Sequence, residues 1–355
     1  MITFDEKANI SHSDADLIVN TVNTVGVMGA GVAKAVKDRY PDVMPPYTEA
    51  CRTKKLYPGG VQILRMKDGR IIANLASKEH FKDPSRPEWV GYGLLNLNRI
   101  LNLEQMKDVK TVLLPPPGAG LGGLKREMVQ RMILSYMKTS SDRGVDITCS
   151  MERYDLNERP VRYAGIGSRE TPPEAMSLMT EIAGLLAENG WILRSGNAIG
   201  ADKAFEAGSP VRLTESYLPW EKEDVPHGIV HTTRQHELLM RTTYKSPSGQ
   251  PWNSRMSRSS TLLMTRNGCQ MFGTDFTEPT DIVICWTPDG HEIGGTRQAL
   301  VLAKLNDIPV INLGEKRWQN ATSEDVVEEA FRSVQKHRRE IGLIKTDGTS
   351  PSPGF

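Results

Sequence analysis

Short apolar runs alternate with stretches of helical period from one end of the chain to the other. Leu17-Ile18-Val19 is a compact apolar run and predicts a buried strand. Gly29 to Arg39 follows, with Val32 and Val36 on one face and Pro41 just beyond, the pattern of a helix and its stop. Val61–Arg65 and Ile71–Leu75 read as strands joined by a Lys67-Asp68-Gly69 turn. Leu94 to Leu103 and Lys125 to Met137 predict helices, and Val109 to Leu114 predicts a strand that stops at three prolines.

The same logic returns after residue 160. Val161 to Ile166 predicts a strand, and Thr171-Pro172 a capped helix start. Ala175, Met179, Ile182 and Leu186 form one helical stripe, closed by Asn189-Gly190. Trp191–Leu193, Asp281–Trp286 and Ile308–Leu313 predict strands, with a helix from about Thr296 to Leu305 between the last two. Strands alternating with helices predict an α/β class: a layered fold first, then a doubly wound one.

The expected division is 1–150 and 161–342. Residues 151–160, polar and ending in proline, form the expected linker, and 343–355 a Ser/Pro/Gly-rich disordered tail. A length of 355 residues suits two domains of roughly 150 each. No fixed-period repeat is visible.

Composition changes this picture little. With 25% charged residues and a net charge of +1, the chain is an ordinary globular one. The charge is uneven, +5 over residues 1–150 and −4 over the rest, which suits a phosphate-bearing ligand in the first half. It is too small to argue for duplex DNA binding. Apolar runs such as Ile282 to Trp286 fall far short of the ~18 residues of a membrane span. No basic-then-apolar leader is visible. Cys51, Cys149, Cys269 and Cys285 lie at no CxxC spacing and read as free thiols in a reducing cytoplasm. His227, His231 and His236 match no metal motif, so neither a metal nor a cofactor is expected.

The candidate chemistry lies in glycine-rich loops between strands and helices. In the first half these are Val19 to Gly31 (VNTVNTVGVMGAG) and Pro115 to Leu124 (PPPGAGLGGL). Glycines let backbone amides approach a ligand, and a helix start adds partial positive charge, so each loop is a candidate phosphate cradle. A tight structural turn is the plain alternative for either alone; two in one domain favour a diphosphate held from both sides. A third piece, Asn74 to Phe81 (NLASKEHF), places a lysine just after a strand.

With these motifs the first half resembles a macrodomain, an ADP-ribose-binding module, and is most similar to antitoxin macrodomains that remove ADP-ribose from DNA. The resemblance implies that Asn20 and Asn23 hold the distal ribose. It implies that Gly26, Val27, Met28, Gly29, Ala30 and Gly31 cradle one phosphate. Gly118, Ala119, Gly120, Leu121, Gly122 and Gly123 would cradle the other. Lys78 falls where these relatives have a catalytic lysine acting at the ribose anomeric carbon. An amine that attacks or accepts a proton must be neutral; burial favours that form, and a diphosphate opposes it. A charged Lys78 pairing with phosphate, or one merely exposed in its loop, are the alternatives. Asn9 stands where the family has an adenine-binding aspartate, and the second glycine loop carries no acid.

In the second half three more loops follow strands: AGIGSRET, Ser195 to Gly208 (SGNAIGADKAFEAG) and Asp289 to Leu300 (DGHEIGGTRQAL). With TDIVICWTPDG they resemble the Rossmann-like SLOG superfamily, which includes cytokinin-activating phosphoribohydrolases and DNA-processing A proteins. The resemblance implies ligand contact at Gly167, Ser168, Arg169, Ser195, Gly196, Asp202, Gly294, Gly295 and Thr296. The hydrolases' catalytic glutamate has no counterpart here. Gln298 lies nearby and cannot act as acid or base, so binding is expected rather than catalysis. The Arg/Ser-rich 234–266 region closes over phosphates or is a solvated face.

The expected function is therefore ADP-ribose binding with hydrolysis of ADP-ribosyl links to DNA or protein, and an NAD-derived nucleotide in the second domain. The rivals are a non-catalytic sensor or sponge of such nucleotides and a DNA-associated scaffold. Self-association stays open.

Overall fold

The computed structural model describes residues 1–244, 251–252 and 256–344. It divides into two compact units, Met1–Leu156 with Asp275–Glu278, and Asn157–Thr274 with Pro279 onward. The first is a mixed α/β sandwich. Its strands are β1 (Ile2–Phe4), β2 (Leu17–Val22), β3 (Val61–Arg65), β4 (Ile71–Ala76), β5 (Thr111–Leu114) and β6 (Asp146–Cys149). They form one sheet in the order β1-β6-β5-β2-β4-β3. All pairs are parallel except β3 with β4. Around it lie α1 (Gly31–Arg39), α2 (Met44–Arg52), α3 (Pro87–Leu101), α4 (Arg126–Tyr136) and α5 (Lys138–Asp142).

The central strands β2 and β4 are apolar along almost their whole length because parallel strands are covered on both faces. Ile18, Val22 and Ile72 pack against Val36, Val43 and Tyr47 of the helical layer. This register brings the carboxyl ends of β2 and β4 side by side, with Asn20 opposite Asn74 and Val22 opposite Ala76. Chemistry carried just beyond those two strands therefore meets.

The second unit has β7 (Arg162–Gly167), β8 (Ile192–Ser195), β9 (Thr214–Ser216), β10 (Ile282–Trp286) and β11 (Val310–Asn312). Its sheet is wholly parallel in the order β11-β10-β7-β8-β9. The order reverses at β7, so the loops after β7 and β10 diverge and leave a crevice at the strands' carboxyl ends. The helices are α6 (Pro173–Glu188), α7 (Ala201–Gly208), α8 (Arg234–Thr243), α9 (Arg258–Phe272), α10 (Thr296–Leu305) and α11 (Ser323–Glu340). Tyr163, Ile182, Leu186, Phe205 and Ile284 centre the core.

Several expectations shift. The third helix begins at Pro87, not Leu94, because proline at the first helical position is preorganised for it. The cap of α6 is Pro172 with no side-chain bond; the Thr171 hydroxyl instead donates to Ser168 O at 2.7 Å. The segment expected as a linker is tied down at both ends. Tyr154 exchanges hydrogen bonds with the Gln130 amide in the first unit (2.7 and 2.9 Å). Arg159 forks onto Asp281 in the second (2.9 and 3.0 Å). Of the expected tail, 345–355 lies outside the described residues, and Leu343 is buried. All four cysteines are free, and burial pushes the Cys149 and Cys269 thiols up to about 12. Among the described residues no helix is long and apolar enough to cross a membrane.

Candidate functional site

In the first unit the carboxyl ends of β2, β4 and β5 open into one cavity of about 560 Å³, within the ~300–1,000 Å³ of small-molecule sites. Asn23, Val27, Gly29, Ala30 and Gly31 line it from the loop before α1; Gly118, Gly120, Leu121 and Gly122 from the loop before α4; Lys78 from the end of β4. Neither helix has a side-chain cap at its amino end. Both therefore present first-turn amides with no intrahelical partner to whatever enters.

Asn23 is wired into its own loop. Its Oδ1 accepts from the Val25 and Val27 amides at 3.1 and 3.2 Å, and its Nδ2 donates to Val27 O at 2.7 Å. The Tyr47 hydroxyl, pushed up by burial and so kept protonated, donates to Asn23 O at 2.8 Å. These bonds fix the turn in which Gly26 takes φ 86°. In the second loop a Cβ on Gly122 would lie 2.2 Å from Gly118 O, so only glycine lets that loop fold on itself.

Lys78 is half-buried, and its Nζ donates to Leu121 O at 2.6 Å across the cavity. The Ser85 amide holds the next carbonyl, Gly122 O, at 2.9 Å. The stretch after β4 thus grips the second glycine loop at two consecutive residues. The buried Ser85 hydroxyl lines the cavity and has no partner, an unmet hydrogen bond that a ligand oxygen would satisfy.

Other expected residues lie elsewhere. Asn20 is fully buried beneath the cavity, where its Nδ2 donates to Asn74 Oδ1 at 2.8 Å and Asn74 donates on to Gln62. Met28 is buried, its sulfur 3.8 Å from Asn20 Nδ2. Asn9 is exposed and accepts from Ser11 N at 2.9 Å, as the cap of a short 3-10 turn. Gly26, Ala119 and Gly123 belong to the loops but not to the cavity wall. Sequence reasoning missed Ser85, Phe81 and Arg126, which are single loop or helix-start residues without a pattern.

The second unit has its own cavity of about 550 Å³ at the crevice of its sheet. Gly167, Ser168, Arg169, Asp202, Gly294, Gly295 and Thr296 line it; Ser195 and Gly196 do not. Arg266 of α9 lies over Gly196, where a Cβ would fall 1.0 Å from Nη1. Asp202 Oδ2 accepts from the Gly196 and Ala198 amides at 3.1 and 3.4 Å and lies 3.6 Å from Arg266 Nη1. Burial nonetheless pushes the carboxyl up and the guanidinium down. Arg266 Nε and Gln270 Nε2, one helical turn apart on this wall, are buried donors without acceptors. Gln298 is buried and donates to Thr243 Oγ1 at 2.8 Å, away from the cavity. His236 caps α8 and lies 2.9 Å from Gly273 O. Among the described residues no three His, Cys, Asp or Glu form a metal cluster.

Comparison with known proteins finds similarity within the first unit. Residues 19–133 match the family model described as Macro domain. A DNA ADP-ribosyl glycohydrolase of Thermus aquaticus is 36% identical over 169 residues, 47% of this chain and 44% of that protein. One of Mycobacterium tuberculosis is 32% identical over 145 residues, 40% of each. The chain thus spans less than half the length of these two relatives. Among solved structures, the macrodomain of Thermus aquaticus DarG is 34% identical and covers 43% of this chain, 99% of its own, with a TM-score of 0.39.

Proposed function

We propose, on the premise that residues 19–133 are a macro domain, that the first unit binds ADP-ribose and cleaves it from a modified acceptor. The observation that carries this reading is the placement of the Lys78 amine in one cavity with two glycine loops. The loops hold the diphosphate through backbone amides and helix ends, which fixes the distal ribose. Water adds to the anomeric carbon, the bond from that carbon to the acceptor breaks, and the acceptor leaves with a proton. Lys78 assists at that carbon. To do so its amine exchanges its bond to Leu121 O for one at the reacting centre. Release of ADP-ribose from modified DNA oligonucleotides or modified protein tests the reading. Tight binding without release would favour the sensor or sponge.

For the second unit we propose a nucleotide site of the SLOG type that binds rather than cleaves. The orphan donors Arg266 Nε and Gln270 Nε2 support an anionic ligand, since buried donors of this kind demand an acceptor. Gly295 has an ordinary backbone, and a Cβ there meets nothing closer than Met264 Cε at 3.8 Å. Gly295→Val is therefore expected to keep the fold and fill the cavity. Calorimetry against AMP, NAD, ADP-ribose and cyclic ADP-ribose should find one ligand whose affinity falls at least tenfold in this variant. Unchanged affinity would remove the site.

A further inference from the structure

Five residues after β4, the chain leaves a large aromatic side chain in solvent at the mouth of the first cavity. Phe81 is 45% exposed and also lines that cavity, three positions from Lys78. Its ring is held against His80, with centroids 4.2 Å apart, and Lys82 Nζ lies 6.0 Å from its centre. Arg126, exposed at the start of α4, borders the same opening. Leu121, 75% exposed, borders it as well. An apolar ring that gains little from burial, fixed in place and flanked by two cations, matches a strand of nucleic acid better than a protein surface. Bases supply flat faces for stacking, and the backbone supplies negative charge.

We propose that Phe81 is the stacking platform for the nucleobase that carries the ADP-ribose, with Lys82 and Arg126 receiving the flanking phosphates. This rests on the glycohydrolase reading above. The acceptor leaves the cavity on the Lys78 side, where Phe81 is the exposed aromatic ring. A carboxylate or hydroxyl acceptor on a protein offers it no aromatic face to stack on. The platform orients the base as the glycosidic bond breaks, so its contribution appears in substrate capture and not in binding of ADP-ribose itself.

The test compares the full chain, Phe81→Ala and Phe81→Trp on a single-stranded oligonucleotide bearing one ADP-ribosylated base, with free ADP-ribose affinity measured in parallel. Phe81→Ala should raise KM for the oligonucleotide about tenfold, the scale of one lost stack. Affinity for ADP-ribose should move less than twofold, and Phe81→Trp should restore KM. An unchanged KM, or an equal loss of ADP-ribose affinity, overturns the proposal. Release by the wild type from modified protein but not from the oligonucleotide also overturns it and leaves the hydrolase reading standing. Release from neither substrate removes that reading as well.

Discussion

Lys78→Ala will lower release of ADP-ribose from a modified acceptor by roughly 10²–10⁴-fold, the range for losing one positioned acid–base group, while ADP-ribose still binds. Lys78 is the second residue past β4, and Ser77 between them is anchored by a bond from its amide to Val22 O at 3.0 Å. The amine is thus carried on the paired ends of the two central strands. Lys78→Arg separates chemistry from architecture. It keeps a cation able to donate to Leu121 O, but a guanidinium stays protonated and cannot attack or accept a proton. If Lys78 acts at the anomeric carbon, arginine rescues the loop and not the rate. Single-turnover release decides the matter: full activity in Lys78→Ala would remove the lysine from the chemistry, and rescue by arginine would assign it to electrostatics.

The largest effect on stability is expected at Asp281, where β10 begins. Its carboxylate accepts Arg159 (2.9 and 3.0 Å), Arg338 of α11 (2.8 and 2.9 Å) and the Arg162 amide (2.9 Å). All three side chains are nearly inaccessible. Burial alone would raise the carboxyl pKa, yet the Arg159 and Arg338 guanidiniums hold it at about 2, below its ordinary 3.8. Asp281→Ala leaves two buried cations without their anion and should cost the second unit ~3–5 kcal/mol. The pH dependence follows from the depressed value. The carboxylate's contribution is complete above about pH 4 and is lost as pH falls toward 2, amounting to about 2 kcal/mol. Denaturant titration of the full chain should show one transition moved and the other intact. Coincident curves for Asp281→Ala and wild type would show the triad to be energetically idle.

The parts of this protein that could be read from its sequence are those where local pattern and tertiary role agree. The run through β2, the glycine turn and α1 is one: an apolar strand, a loop of small residues and an amphipathic helix. The position of Lys78 just past a strand is legible for a similar reason, since an apolar run fixes where its end must lie; its role rests on the resemblance. The burial of Asn20 is not legible, because an amide has the residue type of a binding site whether it faces a ligand or, as here, pairs across two neighbouring strands with Asn74. Helix α9 was hidden by the opposite effect. Thr265, Arg266, Asn267 and Gln270 are buried although polar, because they face a cavity and the strands beside it, so no hydrophobic period marks the helix. Edge strand β1 and its neighbour β6 are too short to announce themselves before they pair. Phe81 and Ser85 lie in a loop, where only the folded chain shows which side chain faces the ligand.

Titration of ADP-ribose into the full chain and into Gly120→Val, followed by calorimetry, measures the central claim directly. Gly120 borders the cavity, has no left-handed backbone requirement, and a Cβ there meets no atom within 4 Å, so valine leaves the fold intact and intrudes on the ligand. The two-loop cradle requires saturable binding by the wild type and at least a tenfold loss in the variant at unchanged melting temperature. No binding by the wild type, or equal binding by both, would contradict it.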